Sequence, residues 1–281
     1  MSYADKVFKS TCLDILTNGI NTIGQKVRPH WEDGTPAYTI KKFGVINRYD
    51  LRKEFPALTL RNVGLKSCMD EILWIYQKKS NDIKELNSHV WDEWADEKGT
   101  IGTAYGGVVR NKFMYNGIMT DQTDNVLRQL KEEPFSRRIM TNLYQFDYLA
   151  TGALDPCCFN FVMNVTEDEN GQLVLNAILN QRSQDMLAAN GWNVCQYSIL
   201  LMMFAQVSGM IAGELIHVIS DCHIYDRHIP MIQELICRLE YPAPKVWLNP
   251  NVDNFYDFTT DDLHVEGYEY GEQIKDIPIA I

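Results

Sequence analysis

The chain has 281 residues, and 26 basic against 37 acidic side chains give it a formal net charge of −11. Hydrophobic residues make up 46 % and charged residues 22 %, which excludes a disordered chain. The acidic balance and the lack of a long basic run argue against a protein that binds DNA or a membrane surface. A few converging arginines could still hold a small anion. Because no linker or repeat interrupts the chain, we expect a single domain over residues 1–281.

Seven cysteines are widely spaced and form no C-x-x-C pair, which favours free thiols in a reducing compartment over a disulfide framework. The first residues lack the apolar core of a signal peptide. The most hydrophobic stretch, residues 197–212, is too short to span a bilayer. We therefore expect a cytoplasmic protein without a membrane segment.

The first half of the chain is predicted to mix helices with short strands. Amphipathic spacing predicts helices over residues 3–17, 64–77 and 122–133. Strand patterns cover residues 38–47 and, more briefly, 58–60. The segment 91–110 is rich in Gly, Asp and Trp and is predicted to be a long ordered loop, a kind of segment that is often functional.

The centre of the chain is predicted to be a hairpin followed by a buried helix. Strands at 157–165 and 173–179 are joined by a turn at Glu169-Asn170-Gly171. Residues 194–212 are apolar nearly all round, which predicts a central helix. A strand at 215–219 and a helix at about 230–240 follow. Since helices and strands alternate without a regular βαβ rhythm, we expect an α+β fold.

A cysteine pair opens the first central strand. Pro156-Cys157-Cys158 follows a turn-like segment at 152–155. Alternation places Cys157 on one face with Phe159 and Phe161, and Cys158 on the other. A thiol at a strand end can serve as a nucleophile, and a nearby arginine would lower its pKa. The alternative is a small buried hydrophobe.

Two arginine-containing segments could bind an anion. Arg182 and Ser183 end the second strand of the hairpin, and a guanidinium beside a hydroxyl suits phosphate oxygens. Arg137 and Arg138 are adjacent and repel each other, so an anion between them would explain the pair. A solvated strand end and a salt-bridged surface are the respective alternatives.

Polar side chains are also concentrated at residues 221–228. His223 and Tyr225 share a face if this segment is extended, and both can form hydrogen bonds. Cys222, His223 and His228 match no compact zinc motif, and we expect no metal.

Glu71 lies in the middle of an apolar helix face. Burial there would raise its pKa towards neutrality, as general acid–base chemistry requires, whereas a helix-surface glutamate is the alternative. These residues alone indicate an anion-binding enzyme with a candidate cysteine nucleophile.

Several motifs together resemble the thymidylate synthase family over most of the chain. They are Trp91-Asp92-Glu93-Trp94-Ala95-Asp96, Ser136-Arg137-Arg138, Pro156-Cys157, Gln181-Arg182-Ser183-x-Asp185, Asn193, Asp221-x-His223-x-Tyr225 and Pro278-Ile279-Ala280-Ile281. The resemblance implies one domain with a large mixed β-sheet packed by helices, and a homodimer that associates sheet to sheet. It also implies reductive methylation of dUMP to dTMP, with methylenetetrahydrofolate as the donor of both the carbon and the hydride.

The resemblance assigns a role to each site residue. Cys157 is the implied nucleophile that adds to carbon six of uracil, and the Pro-Cys pair distinguishes it from Cys158. The other implied catalytic residues are Glu71, Tyr105, Arg182 and Asp185. The implied dUMP-binding residues are Arg28, Gln181, Arg182, Ser183, Gln184, Asp185, Asn193, His223 and Tyr225, with Arg137 and Arg138 from the partner subunit. The implied folate contacts are Trp91, Asp185 and Ala280.

The segment 188–192 departs from the family pattern. Ala-Ala-Asn-Gly-Trp replaces Leu-Gly-x-Pro-Phe next to the folate site, and Gly64 takes the approximate place of a histidine. This departure motivates one alternative, a deoxyuridylate hydroxymethylase in which water captures the exocyclic methylene. A non-catalytic nucleotide- or RNA-binding regulator is another, but Cys157 and Glu71 are retained.

Overall fold

The fold is built around a mixed β-sheet. The computed structural model describes residues 1–149 and 155–281. In these residues the main sheet has the order β1-β2-β8-β7-β6-β5. Its strands are β1 (Ile20–Asn21), β2 (Thr39–Asp50), β5 (Met140–Asn142), β6 (Cys158–Glu167), β7 (Leu173–Asp185) and β8 (Ile211–Tyr225). Neighbouring strands are antiparallel except β7 and β8, which are parallel. Two small hairpins pair β3 (Phe113–Tyr115) with β4 (Ile118–Thr120) and β9 (Lys245–Leu248) with β10 (Leu263–Glu266).

Helices pack against this sheet. They are α1 (Tyr3–Asn18), α2 (Leu65–Tyr76), α3 (Gly106–Val109), α4 (Gln122–Glu132), α5 (Phe146–Leu149), α6 (Asn190–Val207) and α7 (Ile229–Cys237). Helix α6 connects the two parallel strands and packs on α2, β7 and β8. Its residues Ile199, Leu200 and Phe204 are fully buried, so α6 is central to the core. Within the described residues, no helix has both the length and the apolar character needed to cross a bilayer.

The expected α+β architecture with a large mixed sheet packed by helices is confirmed. The predicted helices at 3–17, 64–77 and 122–133 correspond to α1, α2 and α4, and the central hairpin corresponds to β6 and β7. The turn between these strands includes Gly171 at φ 77°, a conformation that glycine adopts readily. Of the turn predicted at 152–155, residues 152–154 lie outside the described residues.

The strand predicted at 58–60 is wrong, although Leu58 and Leu60 are buried. The backbone N–H of Thr59 donates to the Asp5 carboxylate at 2.8 Å, and its carbonyl accepts from the N–H of Gly271. A helix side chain and a loop therefore satisfy the backbone groups that a neighbouring strand would otherwise pair.

The helix predicted over 194–212 extends beyond the observed end of the helix. Helix α6 ends at Val207, Gly209 reverses the chain at φ 67°, and β8 begins at Ile211. Because β8 lies inside the sheet, its apolar start continues the hydrophobic run of α6, so periodicity alone did not separate the two elements. Strand β8 also extends through Tyr225 and includes the polar segment that was expected to follow it.

The predicted faces of β6 are confirmed from Phe161 to Val165 but are wrong at the start of the strand. A register shift between Cys158 and Asn160 interrupts the alternation. Cys158 is buried, as are Phe161 and Met163 beyond the shift, whereas Phe159 is only half-buried. A β-bulge adds one residue to one strand and reorients its side chains, and alternation in a single sequence does not reveal it.

The segment 91–110 is ordered and contains a 3₁₀ turn at Asp92–Trp94 as well as α3. Helix α3 lies directly against the backbone of Ser80. A Cβ built on Gly106 would lie 2.0 Å from the Ser80 carbonyl oxygen, whereas one on Gly107 would lie 3.4 Å from its nearest neighbour, the Gly102 carbonyl oxygen. Gly106 therefore sets how closely this segment approaches the end of α2.

We predict that Gly106→Ala destabilises the protein by about 1–3 kcal/mol, because the added methyl group overlaps backbone. Turnover should fall as well, since Tyr105 precedes the glycine. Gly107→Ala is the matched control and should retain most of the stability. Urea unfolding of both variants tests this, and equal losses in the two would contradict it.

Candidate active site

One cavity of about 390 Å³ is lined by five of the candidate residues, namely Glu71, Trp91, Tyr105, Cys157 and Asn193. It lies between α2, the start of α6 and the beginning of β6. Aromatic and apolar side chains form much of its wall, and a thiol and a carboxylate face the same space. The lining includes Glu71, Trp91, Trp94, Tyr105, Cys157, Cys158, Ala188, Ala189, Trp192, Asn193 and Ile279.

Cys157 is half-buried at the start of β6, and Arg182 is next to it. The Nη2 of Arg182 lies 3.8 Å from Cys157 Sγ, and its Nε donates to the Pro156 carbonyl at 3.0 Å. Burial raises the pKa of the Cys157 thiol, and the charges of Arg182 and Arg28 oppose that rise without cancelling it. The expected arginine effect is therefore present, but desolvation outweighs it and the net shift is upward.

Cys158 has a different environment. It is buried, and its Sγ donates to Gln181 Oε1 at 3.2 Å. Burial raises its pKa well above the ordinary value of a thiol. This cysteine therefore has the character of a packed side chain rather than a nucleophile.

Gln181 connects Cys158 to Asn193 through an oriented amide. Its Oε1 also accepts a hydrogen bond from His217 Nε2 at 2.7 Å. Its Nε2 donates to Asn193 Oδ1 at 3.2 Å and to the Ser183 carbonyl at 2.9 Å. Because two donors hold the oxygen, the Gln181 nitrogen points to Asn193 and leaves the Asn193 amide nitrogen to donate elsewhere.

His217 is a site residue that sequence reasoning missed. It is fully buried on β8, and burial lowers its pKa to about 3, so the ring is neutral. Leu215 and Ile219 flank it at two-residue spacing and are also buried, so alternation on this strand could have identified a buried histidine.

Glu71 is buried, as predicted. Its Oε1 accepts from Trp91 Nε1 at 3.1 Å and its Oε2 from Trp192 Nε1 at 2.7 Å. Burial raises the pKa of the Glu71 carboxyl, while hydrogen bonding from Trp192, Gln196 and Trp91 opposes the rise. A carboxyl in this state can hold a proton nearer to neutral pH than an exposed one.

Tyr105 has a strained backbone, with φ 49° and ψ −111°. Its Oη accepts a hydrogen bond from the backbone N–H of Cys157 at 3.2 Å, and its ring meets Trp91 edge to face at 4.9 Å. Burial raises its pKa well above the ordinary value, so the hydroxyl stays protonated. Strain of this kind is concentrated at functional sites.

The ends of β7 and β8 contribute a second group of polar residues. The parallel register pairs Ser183 with Asp221 and Asp185 with His223. His223 Nδ1 lies 2.9 Å from Asp221 Oδ1, and Tyr225 packs edge to face on His223 at 4.9 Å. His223 and Tyr225 are thus on one face, as expected from an extended segment. Gln184, between Ser183 and Asp185, is fully buried and donates to the Asp185 carbonyl at 3.0 Å.

Asp185 is tied to the C-terminal segment through His228. Burial alone would raise the Asp185 pKa, but hydrogen bonding and charge from His228 lower it overall. His228 Nδ1 lies 3.4 Å from Asp185 Oδ1, and its Nε2 donates to the Pro278 carbonyl at 2.8 Å. Ile279 lines the cavity, whereas the expected contact residue Ala280 is half-buried beside it.

The remaining arginines differ in position. Arg28 is exposed but near enough to influence the pKa of Cys157. Arg137 and Arg138 are exposed after α4 and are not part of the cavity lining of their own chain.

Among the described residues, no group of three or more His, Cys, Asp or Glu side chains has the arrangement of a metal site.

Comparison with known proteins gives a consistent result. The model of the thymidylate synthase family matches residues 6–280. Thymidylate synthase 1 of Bacillus spizizenii and the thymidylate synthase of Bacillus phage phi3T are each 42 % identical over 279 residues, covering 98 % of both chains. The solved structure of thermostable thymidylate synthase A from Bacillus subtilis superposes with a TM-score of 0.91 at 40 % identity, and the match covers 100 % of each chain.

The fold and the cavity with its thiol and buried carboxyl are those of a nucleotide-modifying enzyme that uses a folate co-substrate. The chain belongs to the thymidylate synthase family. The predictions of an enzyme and of dUMP methylation to dTMP are confirmed by these matches.

We predict that His217 makes stability depend on pH. Its folded pKa is lowered from 6.5 to about 3, so it stabilises the fold above pH 6.5 and loses this contribution as the pH falls. From pH 6.5 to about pH 5 the loss is roughly 2 kcal/mol, since each unit is worth about 1.4 kcal/mol.

His217→Gln should remove this part of the pH dependence, whatever its effect at neutral pH. Urea unfolding at several pH values and one protein concentration measures it. His264→Gln, at an exposed position, is the control. An unchanged slope in His217→Gln would show that the buried ring is not responsible.

Proposed function

We propose that this chain catalyses the reductive methylation of dUMP with methylenetetrahydrofolate, through a covalent bond between Cys157 and the uracil ring. The observation that carries the proposal is one cavity in which Cys157, Glu71 and Tyr105 meet, with Arg182 beside the thiol. A hydrolase would need a base hydrogen-bonded to its nucleophile. Here the partner near Cys157 is a guanidinium, which suits an anionic substrate.

Arg182 and Ser183 are proposed to bind the phosphate of dUMP together with Arg28. A guanidinium and a hydroxyl at one strand end provide charge-assisted hydrogen bonds to phosphate oxygens. Arg182 also donates to the carbonyl of Pro156, directly before the nucleophile. The same side chain would therefore fix both the substrate and the thiol.

Asn193 is proposed to distinguish uracil from cytosine. Because Gln181 donates to Asn193 Oδ1, the amide orientation is set. Oδ1 would accept from the ring N–H, and Nδ2 would donate to the ring carbonyl. His223 and Tyr225, on the neighbouring strand, would hold the ribose hydroxyl.

Cys157 Sγ is proposed to attack carbon six of the uracil ring as a thiolate. Burial disfavours the thiolate in the free protein, while Arg182 favours it. Addition would make carbon five nucleophilic, so that it bonds the one-carbon unit as the bond from that unit to a folate nitrogen breaks. Glu71 and Tyr105 would then move the proton that carbon five must lose, with Glu71 relaying protons to the ring carbonyl. After proton loss, release of the second folate nitrogen and hydride transfer, the bond between Cys157 Sγ and carbon six would break and return the thiolate.

The aromatic part of the cavity fits a reduced folate. Trp91, Trp94 and Trp192 provide flat apolar walls for a fused ring, and Ile279 contributes from the C-terminal segment. Methylenetetrahydrofolate supplies both the carbon and the hydride when it is bound. Asp185 would contact the pterin, and Trp91 with the Ala280–Ile281 terminus would exclude water during hydride transfer. No residue role in this proposal requires a metal.

We also propose that the protein works in the cytoplasm as a homodimer joined through the main sheet. One face of the main sheet exposes Ile46 (61 %) on β2 and Ile178 (38 %) on β7, which the strand register places on the same side, and an interface would bury them. Arg137 and Arg138 are outside the cavity of their own chain, which agrees with donation to the phosphate site of the partner.

The experiment that tests the reaction uses purified protein, dUMP and methylenetetrahydrofolate. We expect dihydrofolate absorbance to rise and the nucleotide to gain the mass of a methyl group. A hydroxymethylated nucleotide without dihydrofolate would instead support the hydroxymethylase. Cys157→Ser should lower turnover at least about 10³-fold yet still bind dUMP. Cys158→Ser, the matched neighbour, should retain substantial activity, and equal losses would contradict the choice of nucleophile.

Subunit mixing tests the shared arginines. Arg138→Ala and Cys157→Ser should each be nearly inactive alone. After mild unfolding and refolding together, a mixed dimer contains one site with both residues intact, so activity should return to about a quarter of the wild-type value on statistical pairing. Refolding each variant alone is the control. No recovery on mixing would mean that Arg138 acts within its own chain.

A further inference from the structure

Glu71 is held by two indoles that come from different parts of the chain. Trp91 belongs to the segment 91–110 and donates to Oε1 at 3.1 Å. Trp192 belongs to the first turn of α6 and donates to Oε2 at 2.7 Å. Each carboxylate oxygen thus has its own donor, and the shorter bond comes from Trp192. Trp192 lies in the segment that departs from the family pattern, where a phenylalanine is expected.

The position of Trp192 is fixed by packing against α2. Its backbone carbonyl lies 3.8 Å from Cys68 Sγ, one helical turn before Glu71 on α2, so Trp192 contacts the same face of α2 twice. Gly191 allows this approach, since a Cβ there would lie 2.7 Å from Leu58 Cδ1. A Cβ on Gly64 would lie 3.7 Å from Trp192 Cζ3, an ordinary van der Waals distance, so residue 64 lies directly beside the indole.

We infer that Trp192 is a positioning residue for Glu71, which fixes one carboxylate oxygen and thereby the geometry of proton transfer in the proposed methylation. The indole N–H is a donor only, so it bonds an oxygen that carries no proton and favours the ionised carboxylate. A phenylalanine at this position cannot do so. Trp192 also lines the cavity, so one side chain links the folate wall to the proton-transfer group.

Other titratable groups around Glu71 would be present in every variant. Asp70 acts to raise the Glu71 pKa, and Gln196 and Trp91 remain to lower it by hydrogen bonding. The remaining titratable neighbours are Cys68, Tyr105, Cys157, Cys158, Tyr197, His89 and Glu93. A change on removing the Trp192 donor is therefore measured against a constant background.

The test is the pH profile of Trp192→Phe, which keeps the aromatic ring and removes the donor. We expect kcat to fall about tenfold to a hundredfold with little change in KM for dUMP. In the plot of kcat against pH, the apparent pKa that reports Glu71 should rise by about one unit. Trp247→Phe is the matched control, because Trp247 is on β9, where it stacks on His264 at 5.4 Å, away from the cavity. An unshifted profile in Trp192→Phe would overturn the inference.

A second measurement does not require a substitution of Trp192. In ¹⁵N-indole-labelled wild-type protein, the Trp192 N–H resonance should titrate with Glu71, and in Glu71→Gln it should not. A Trp192 resonance that ignores pH would overturn the inference even if Trp192→Phe fails to fold. If Glu71→Gln retains full turnover, the proposed proton relay is wrong and the inference fails with it. If Glu71→Gln is inactive and Trp192→Phe is normal, only the role of Trp192 is rejected.

Discussion

The parallel pairing of β7 and β8 is the constraint on which the candidate site depends. Parallel neighbours cannot be joined by a tight turn and need a long crossover, which here is α6. Both strands therefore end at the same edge, where Asp185 pairs with His223. The crossover helix α6 begins a few residues after β7 ends. Its first turn, which contains Trp192 and Asn193, therefore lies at that edge of the sheet. The strand-end residues and the cavity wall thus follow from one topological requirement.

Local charge at the site differs from the charge of the whole chain. The net charge of the chain is −11. Nevertheless, the charged group with the largest effect on the pKa of Cys157 is Arg182, which lowers it. The Asp155 carboxylate opposes this effect of Arg182, whereas neutral indoles hold Glu71 and His228 pairs with Asp185. Acidic residues elsewhere do not weaken the attraction for an anionic substrate, because exposed charges are screened over about 10 Å.

Much of the fold could be predicted from periodicity, since α1, α2 and α4 each carry apolar residues at helical spacing, even though α2 is buried nearly all round. Periodicity failed where tertiary contacts replaced the usual pairing. Thr59 uses the carboxylate of Asp5 in place of a strand neighbour, and the bulge after Cys158 changes which side chains are buried. Motif resemblance named Glu71, Trp91, Tyr105, Cys157 and Asn193, which line the cavity together. It did not indicate His217 or His228, because their importance arises from partners distant in sequence.

The protonation states of the buried groups follow from the number and kind of their partners. His217 has a single neutral acceptor, the Gln181 carbonyl, and burial keeps it uncharged. His228 faces the Asp185 carboxylate and the Pro278 carbonyl, and these raise its pKa despite burial. Glu71 is intermediate, because burial favours its protonated form while two neutral indole donors favour the ionised one. A group that must both hold and release a proton needs opposing influences of this kind. Trp192 therefore contributes to the chemistry proposed for Glu71 without carrying any charge of its own.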